Sequence, residues 1–341
     1  MKIRLGLVMI MLMLCVGCKS SINAEKIVAD KAVTENEFLI DTIVSITLYG
    51  DDSKYMGEMF QLVKKYDQIL NSHDKDSEIF AINSRENSNM SIEIRELIER
   101  SMYYSKLTDG LYDITIAPLV DLWDIANEPT SIPTETEITD ALKLVDYNNI
   151  ELNENEINFK KENIKLDLGG IAKGFIADRM IDYLKEKNVK HGVISLGGNI
   201  YVLGEKETGV DFRIAVQDPD EVRGGRIGVL SASNVSIVTS GIYERFVEIE
   251  GVKYHHMLNP YTGYPENNEL KSVTIVSQNS MDGDALSTST FLLGLDDGWK
   301  LINSLDEIEA IFITKDEKVY VTTGLEKSFK LDNSKYTLAS K

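Results

Sequence analysis

The sequence predicts an α+β fold: a single domain of mixed and antiparallel sheets with flanking helices. Three observations carry that prediction. Helix-like and strand-like periodicities occur in separate blocks rather than in regular alternation. No fixed-period repeat or low-complexity block interrupts them. The chain has 341 residues, 43% of them hydrophobic, enough to bury a substantial core without cross-links.

The first residues stand apart from that domain. "MKIRLGLVMIMLMLCVGC" opens with Lys2 and Arg4, runs apolar from Leu5 to Val16 and ends on small residues. This is a secretory-signal pattern, too short for a comfortable membrane-spanning helix. Its end, "LCVGC", resembles the lipobox of bacterial lipoproteins. The resemblance implies a signal peptide over 1–17 and lipidation of Cys18, with more than one acyl chain, palmitate included, for firm attachment. An ordinary signal peptide and an uncleaved anchor share the same charged start and apolar run. Cys15 and Cys18 are the only cysteines, so the domain has no disulfide, no thiolate metal site and no cysteine nucleophile. Without residues 1–17 the chain keeps 324 residues and carries a net charge of −21 rather than −19. That balance argues against nucleic-acid binding and against adhesion to anionic headgroups. An anionic substrate would need a metal ion or local lysines. Residues 18–37 are small and polar and read as a flexible tether.

The folded domain is expected over 38–335. "FLIDTIVSITLYG" is rich in β-branched residues and reads as one strand. "DDSKYMGEMFQLVKKYDQILN" has apolar spacings of three and four and an Asp-rich start, as a helix requires. Ser91 to Leu107 is a second helix, with Ile94, Leu97, Ile98 and Met102 on one face, stopped by Asp109-Gly110. Thr134 and Glu137 have capping-box spacing at the start of a short helix. "NIKLDLGG" reads as a strand into a glycine turn, and "IAKGFIADRMIDYLKEKN" as an amphipathic helix. "HGVISLGGNIYVLG" gives two strands around Gly-Gly. Short strands follow at "FRIAVQDP", "RIGVLSAS", "VSIVTSG", "RFVEIEG" and "SVTIVSQ"; "DGDALSTSTFLLGL" reads as a helix and "EAIFITKDEKVYVTT" as a closing hairpin.

Four constellations carry chemistry. In "LDLGGIAKGFIAD", two glycines open a helix whose free amides and dipole favour an anion, although Gly169-Gly170 is also what a tight turn alone requires. Lys173 sits in the first helical turn, where a cation opposes the dipole, so it calls for an anionic partner. In "MDGDALSTST", Asp284 and Thr288 lie one turn apart on one helix face, oxygen ligands suited to Mg²⁺ or Ca²⁺; an Asp cap with small residues packing inward gives the same pattern. In "DGLYDITIAPLVDLWD", Tyr112, Trp123 and flanking carboxylates wall either a pocket or a packed core corner on a mixed loop and strand. In "YHHMLNPYTGYP", a strand would point His255 and His256 to opposite faces, so they cannot chelate one ion together. One is then structural, and the other is either that as well or a neutral base within reach of a metal-bound phosphate.

Together, and in order from about Phe38 to about Thr323, these stretches resemble the ApbE family of FAD:protein FMN transferases. The resemblance also rests on "LNSHDKDSEIFAIN", "GVISLGGNIYVLG", "RIAVQDP" and "VTSGIYERF". It implies an ApbE-like domain in which Leu111, Tyr112, Asp113, Asp167, Lys173 and Met257 contact FAD. It implies Mg²⁺ held by the Gly170 carbonyl, Asp284, Ser287 and Thr288, and His256 as the catalytic histidine. The implied reaction moves FMN from FAD to a Thr or Ser hydroxyl of an acceptor flavoprotein and releases AMP. Hydrolysis of FAD to FMN and AMP is an alternative with the same residues, and a flavin-binding lipoprotein without chemistry is another. The implied acceptors are extracytoplasmic flavoprotein subunits of membrane redox complexes, of the Rnf or sodium-pumping quinone reductase type. The implied location is the extracytoplasmic face of the cell membrane. Two places depart from the family's pattern: Ile40-Asp41-Thr42 stands where Met-Gly-Thr is common, and His73 where an aromatic is common.

Overall fold

The computed structural model describes residues 31–341 apart from 207–208 and 222–223. The signal segment, Cys18 and most of the expected tether lie outside the described residues. The chain enters the sheet earlier than 38: β1 (Ala32–Leu39) and β2 (Thr42–Tyr49) form a hairpin. Residues 32–37 are therefore ladder residues rather than tether. The expected single strand over 38–50 is broken by a turn at Ile40 and Asp41, with φ of 47° and 55°. Both angles lie in the left-handed region that two-residue hairpin turns demand.

Helices follow at α1 (Met56–Leu70), α2 (Glu78–Asn83) and α3 (Ile92–Leu107). Ser77 and Ser91 cap α2 and α3 with side-chain oxygens that accept from Phe80 and Ile94 amides. Residues 117–123, expected as loop and strand, form α4 (Ala117–Trp123), with Pro118 in its first turn, where a missing N–H is harmless. The expected capping box is present on α5 (Glu135–Leu142). A small hairpin, β3 (Ile150–Asn153) and β4 (Glu156–Phe159), comes next.

Residues 164–168 alternate as a strand should, with Ile164, Leu166 and Leu168 buried, yet they join no sheet. The Asn83 side chain takes the ladder's place: its Oδ1 accepts from the Leu166 amide at 2.7 Å and its Nδ2 donates to the Leu166 carbonyl at 2.9 Å. Helix α6 (Ala172–Glu186) follows. Then come β5 (Gly192–Leu196), β6 (Asn199–Leu203), β7 (Phe212–Gln217), β8 (Arg226–Ala232), β9 (Val235–Gly241), β10 (Phe246–Ile249), β11 (Val252–His255) and β12 (Leu270–Ser277). Helix α7 (Ser280–Asn303) kinks at Gly294, where φ is 76°. The chain ends with β13 (Glu309–Thr314), β14 (Lys318–Val321), β15 (Phe329–Leu331) and β16 (Thr337–Ala339). The domain thus runs past 335, because β16 pairs in parallel with β14.

The main sheet has the order β1-β2-β5-β6-β9-β12-β13-β14-β16; all its pairs are antiparallel except β14-β16. Both faces are covered. Along β13, Ala310 and Phe312 enter one core with Val44, Phe175 and Phe291, while Ile311 and Ile313 enter a second with Val202, Ile237 and Phe329. The first core lies under the helices; the second lies against the small β15-β8-β7 sheet. Among the described residues no helix is long and apolar enough to cross a membrane.

Candidate active site

Two helix starts meet at the core of the site. Gly174, in the first turn of α6, lies so close to the start of α7 that an added Cβ would overlap the Ser280 carbonyl. Asp178, one turn on, accepts from the Ser280 amide at 2.7 Å and the Met281 amide at 2.9 Å, capping α7 from its neighbour. Burial pushes its carboxyl up to about 6. This crossing puts Asp284 against the glycine turn: Gly174 N donates to Asp284 Oδ2 at 2.9 Å, and Lys173 Nζ stands 3.4 Å from Asp284 Oδ1. Asp284 is the anionic partner that Lys173 called for. Lys173 also reaches the Gly169 carbonyl at 3.3 Å.

Gly170 faces the same corner. A methyl built on it would stand 3.2 Å from Tyr112 Cε2 and 3.8 Å from Thr288 Oγ1, closing the space between them. Thr288 Oγ1 is 3.4 Å from Ser240 Oγ, at the end of β9, and Ser287 Oγ is 2.8 Å from the same atom. The side-chain oxygens gathered here are a carboxylate and hydroxyls, hard oxygen ligands of the type Mg²⁺ takes. Among the described residues no group of three or more His, Cys, Asp and Glu side chains forms a metal cage. A cation at a site with one carboxylate would keep most of its charge for phosphate oxygens.

The strand ends at His255, one residue before His256, and the two rings take separate partners. His255 is buried; its Nε2 donates to the Glu266 carbonyl at 2.8 Å, while its Nδ1 accepts from the Met257 amide at 3.3 Å. Both nitrogens are used, and the ring is a structural pin. His256 is half-buried, with Nδ1 donating to the Arg245 carbonyl at 3.1 Å. That bond sets the tautomer and leaves the Nε2 lone pair as the acceptor. Burial pulls His256 down to about 4; the Arg245 carbonyl opposes this, and His255, Arg245 and Lys173 add to it. The ring is neutral at physiological pH. The turn behind it is rigid: Asn259 Oδ1 accepts from the Tyr261 and Thr262 amides at 2.8 and 3.3 Å, and Gly263 N donates to the Asn259 carbonyl at 2.8 Å.

The remaining expected residues line or support the same region. Tyr112 is buried beside Gly170, and Leu111 and Met257 pack in the same core. Asp113 is placed differently from a free ligand group. Its carboxylate accepts from Thr115 N at 2.7 Å, Thr115 Oγ1 at 2.6 Å and Tyr147 N at 2.9 Å, so it shapes the segment that presents Tyr112. Burial raises its pKa against those bonds. Asp167 accepts from the Gly169 amide at 2.6 Å; burial raises its pKa, while the amide and the His73 and Lys173 charges oppose. Trp123 belongs to a core corner: its Nε1 donates to the Gly263 carbonyl at 2.7 Å, and Tyr254 and Tyr264 pack on its ring. Sequence reasoning missed Ser240 and Asp178. Asp178 sits in the quoted "GFIAD", and only its distance from Ser280 reveals its cap.

Comparison with known proteins agrees with this geometry. The ApbE family matches residues 40–312. A FAD:protein FMN transferase of Klebsiella pneumoniae is 35% identical over 290 residues, covering 84% of this chain and 90% of that protein. One of Treponema pallidum is 28% identical, covering 89% and 90%. Among solved structures, an ApbE protein from Thermotoga maritima superposes with a TM-score of 0.80 at 27% identity, over 87% of this chain and 99% of that one. The flavin transferase ApbE from Vibrio cholerae gives 0.78 at 25%, with the same coverage. With a family match over most of its length and a glycine turn and Asp-Thr helix face drawn to one corner, this chain belongs to the ApbE family.

Proposed function

We propose that this protein transfers FMN from FAD to a Thr or Ser hydroxyl of an acceptor flavoprotein. The observation that carries the reading is the convergence of the Gly170–Lys173 helix start with Asp284 and Thr288, with Lys173 close enough to bear on a neutral His256 whose Nε2 has no partner among the described residues. Supporting it, the curated relatives described above carry the name FAD:protein FMN transferase. Lys173 and the positive end of the α6 dipole bind the pyrophosphate. Tyr112, Leu111 and Met257 supply apolar contact for FAD, Asp113 holds their segment in place, and Asp167 orients the glycine turn. The Gly170 carbonyl, Asp284, Ser287 and Thr288 would hold Mg²⁺, which supplies charge neutralisation at the pyrophosphate when bound.

His256 Nε2 takes the proton of the attacking hydroxyl. The hydroxyl oxygen bonds to the phosphorus of the FMN half, the bond to the bridging oxygen breaks, and AMP leaves with that oxygen. The product is FMN in phosphoester linkage to the acceptor. Water in place of the hydroxyl gives FMN and AMP with the same residues.

The lipobox-like "LCVGC" supports a lipid-anchored enzyme at the extracytoplasmic face of the cell membrane. Flavoprotein subunits of Rnf-type or sodium-pumping quinone reductase-like complexes are suitable acceptors there. Incubation with FAD, Mg²⁺ and such an acceptor, followed by intact mass measurement, tests the reading. An acceptor gain of one FMN is expected; free FMN with an unmodified acceptor would make the protein a hydrolase, and unchanged FAD a binder.

A further inference from the structure

The hydroxyls around Asp284 form a chain whose polarity can be worked out. Ser287 Oγ donates to the Asp284 carbonyl oxygen at 2.9 Å, and a carbonyl can only accept. The single Ser287 proton is thereby used. In the 2.8 Å contact between Ser240 and Ser287, Ser240 must then be the donor. That uses the Ser240 proton, so in the 3.4 Å contact with Thr288 the Ser240 oxygen must accept. The protons run from Thr288 to Ser240 to Ser287 to the Asp284 carbonyl. Ser240 is buried at 8% exposure, and Ser287 is fully buried, so water does not compete for the bond between them.

The consequence falls on Thr288. With its proton drawn toward Ser240, the lone pairs of its Oγ1 are turned toward Gly170 and the cation corner. We propose that Ser240, at the end of β9, is a positioning residue that fixes the Thr288 hydroxyl as an acceptor-only ligand. This rests on the reading of Asp284, Ser287 and Thr288 as cation ligands, and it adds the strand residue that sets their direction. It also separates the two hydroxyls: Thr288 is oriented outward, whereas Ser287 spends its proton on its own helix.

The test uses Mn²⁺ as the probe. Mn²⁺ is titrated into the full chain with one equivalent of FAD. Free Mn²⁺ is read by electron paramagnetic resonance, and a control with FAD alone is subtracted. Outer-shell partners of metal ligands are typically worth ~10–100-fold in affinity. Ser240→Ala is therefore expected to bind Mn²⁺ about 10-fold more weakly or worse than the parent. Ser240→Thr, which keeps the hydroxyl, recovers most of that loss. The metal-free melting temperature of Ser240→Ala stays close to the parent's. Parent-like Mn²⁺ affinity in Ser240→Ala overturns the assignment. So does failure of Ser240→Thr to recover affinity, or a metal-free melting temperature that falls in step with affinity, which would make Ser240 a packing residue. A parent chain that binds no Mn²⁺ beyond the FAD control overturns the cation reading itself, and this inference with it.

Discussion

The His255–His256 pair shows how one residue step divides structure from chemistry. Alternation along the expected strand told only that the two rings part; the assignment of His256 to the chemistry came from the family resemblance, not from the local pattern. In the fold each ring bonds a different carbonyl, Glu266 for His255 and Arg245 for His256, and His255 is the one with both nitrogens engaged. His256→Ala is expected to cut FMN transfer ~10²–10⁴-fold, the usual worth of a general base, with FAD affinity little changed. Single-turnover transfer and flavin binding measured separately check this. A larger loss in His255→Ala than in His256→Ala would reverse the two roles. The pH profile follows from burial. A base works only when unprotonated, and His256 is held at about 4, below the ordinary imidazole value. Transfer measured as kcat/KM should be flat across neutral pH and fall only as the pH drops toward 4. A midpoint near ~6.5 would mean a fully solvated ring.

At the scale of elements, the crossing of α6 and α7 makes the site. Gly174 lies inside a helix, where Ala is ordinarily better by up to ~1 kcal/mol. Here a Cβ would meet the Ser280 backbone, so Gly174→Ala should lower the melting temperature and weaken metal binding together. Asp178→Ala should also destabilise, by ~0.5–2 kcal/mol, the range for loss of a helix cap; denaturant melts check both. Asp284 carries two duties. Under the proposed cation site, Asp284→Ala should abolish Mg²⁺-dependent transfer and should also strand the Gly174 amide, at a cost of ~1–3 kcal/mol. Helices α3 and α5 were readable with local caps, Ser91 and Thr134 with Glu137, whereas uncapped α4 was read as loop and strand. The β1–β2 turn was not, since Ile40-Asp41 carries no glycine or asparagine signal despite its positive φ angles. Residues 164–168 misled for the opposite reason. Their alternation is real, but a side chain, Asn83, supplies the pairing that a neighbouring strand would.

At the scale of the whole molecule, α+β segregation and a single domain were legible from periodicity, but the domain's ends were not. The chain's last strand, of three residues, is too short to announce itself, and the segment before it is held by partners far away in sequence. Tyr336 OH donates to Asp218 Oδ1 at 2.6 Å, and Asp220 Oδ2 lies 2.6 Å from both Lys271 and Lys335. Burial pushes Asp220 up, but the two ammonium groups outweigh it and hold the carboxyl at about 2. A carboxyl held below its ordinary value stabilises the fold at neutral pH and loses that effect as the pH falls through its folded value. Asp220→Asn should therefore lower the melting temperature at pH 7, with the deficit shrinking as the pH approaches 2. An equal deficit at both extremes would assign the effect to packing.

The bond from Gly174 to Asp284 spans 110 positions of sequence. Neither partner has any local means of finding the other; only completion of β12, which leads into α7, brings them together. A chain still being synthesised, or one cut before Ser280, has half a cradle and consumes no dinucleotide. The enzyme is silent until its topology closes, so activity itself becomes a readout of finished folding.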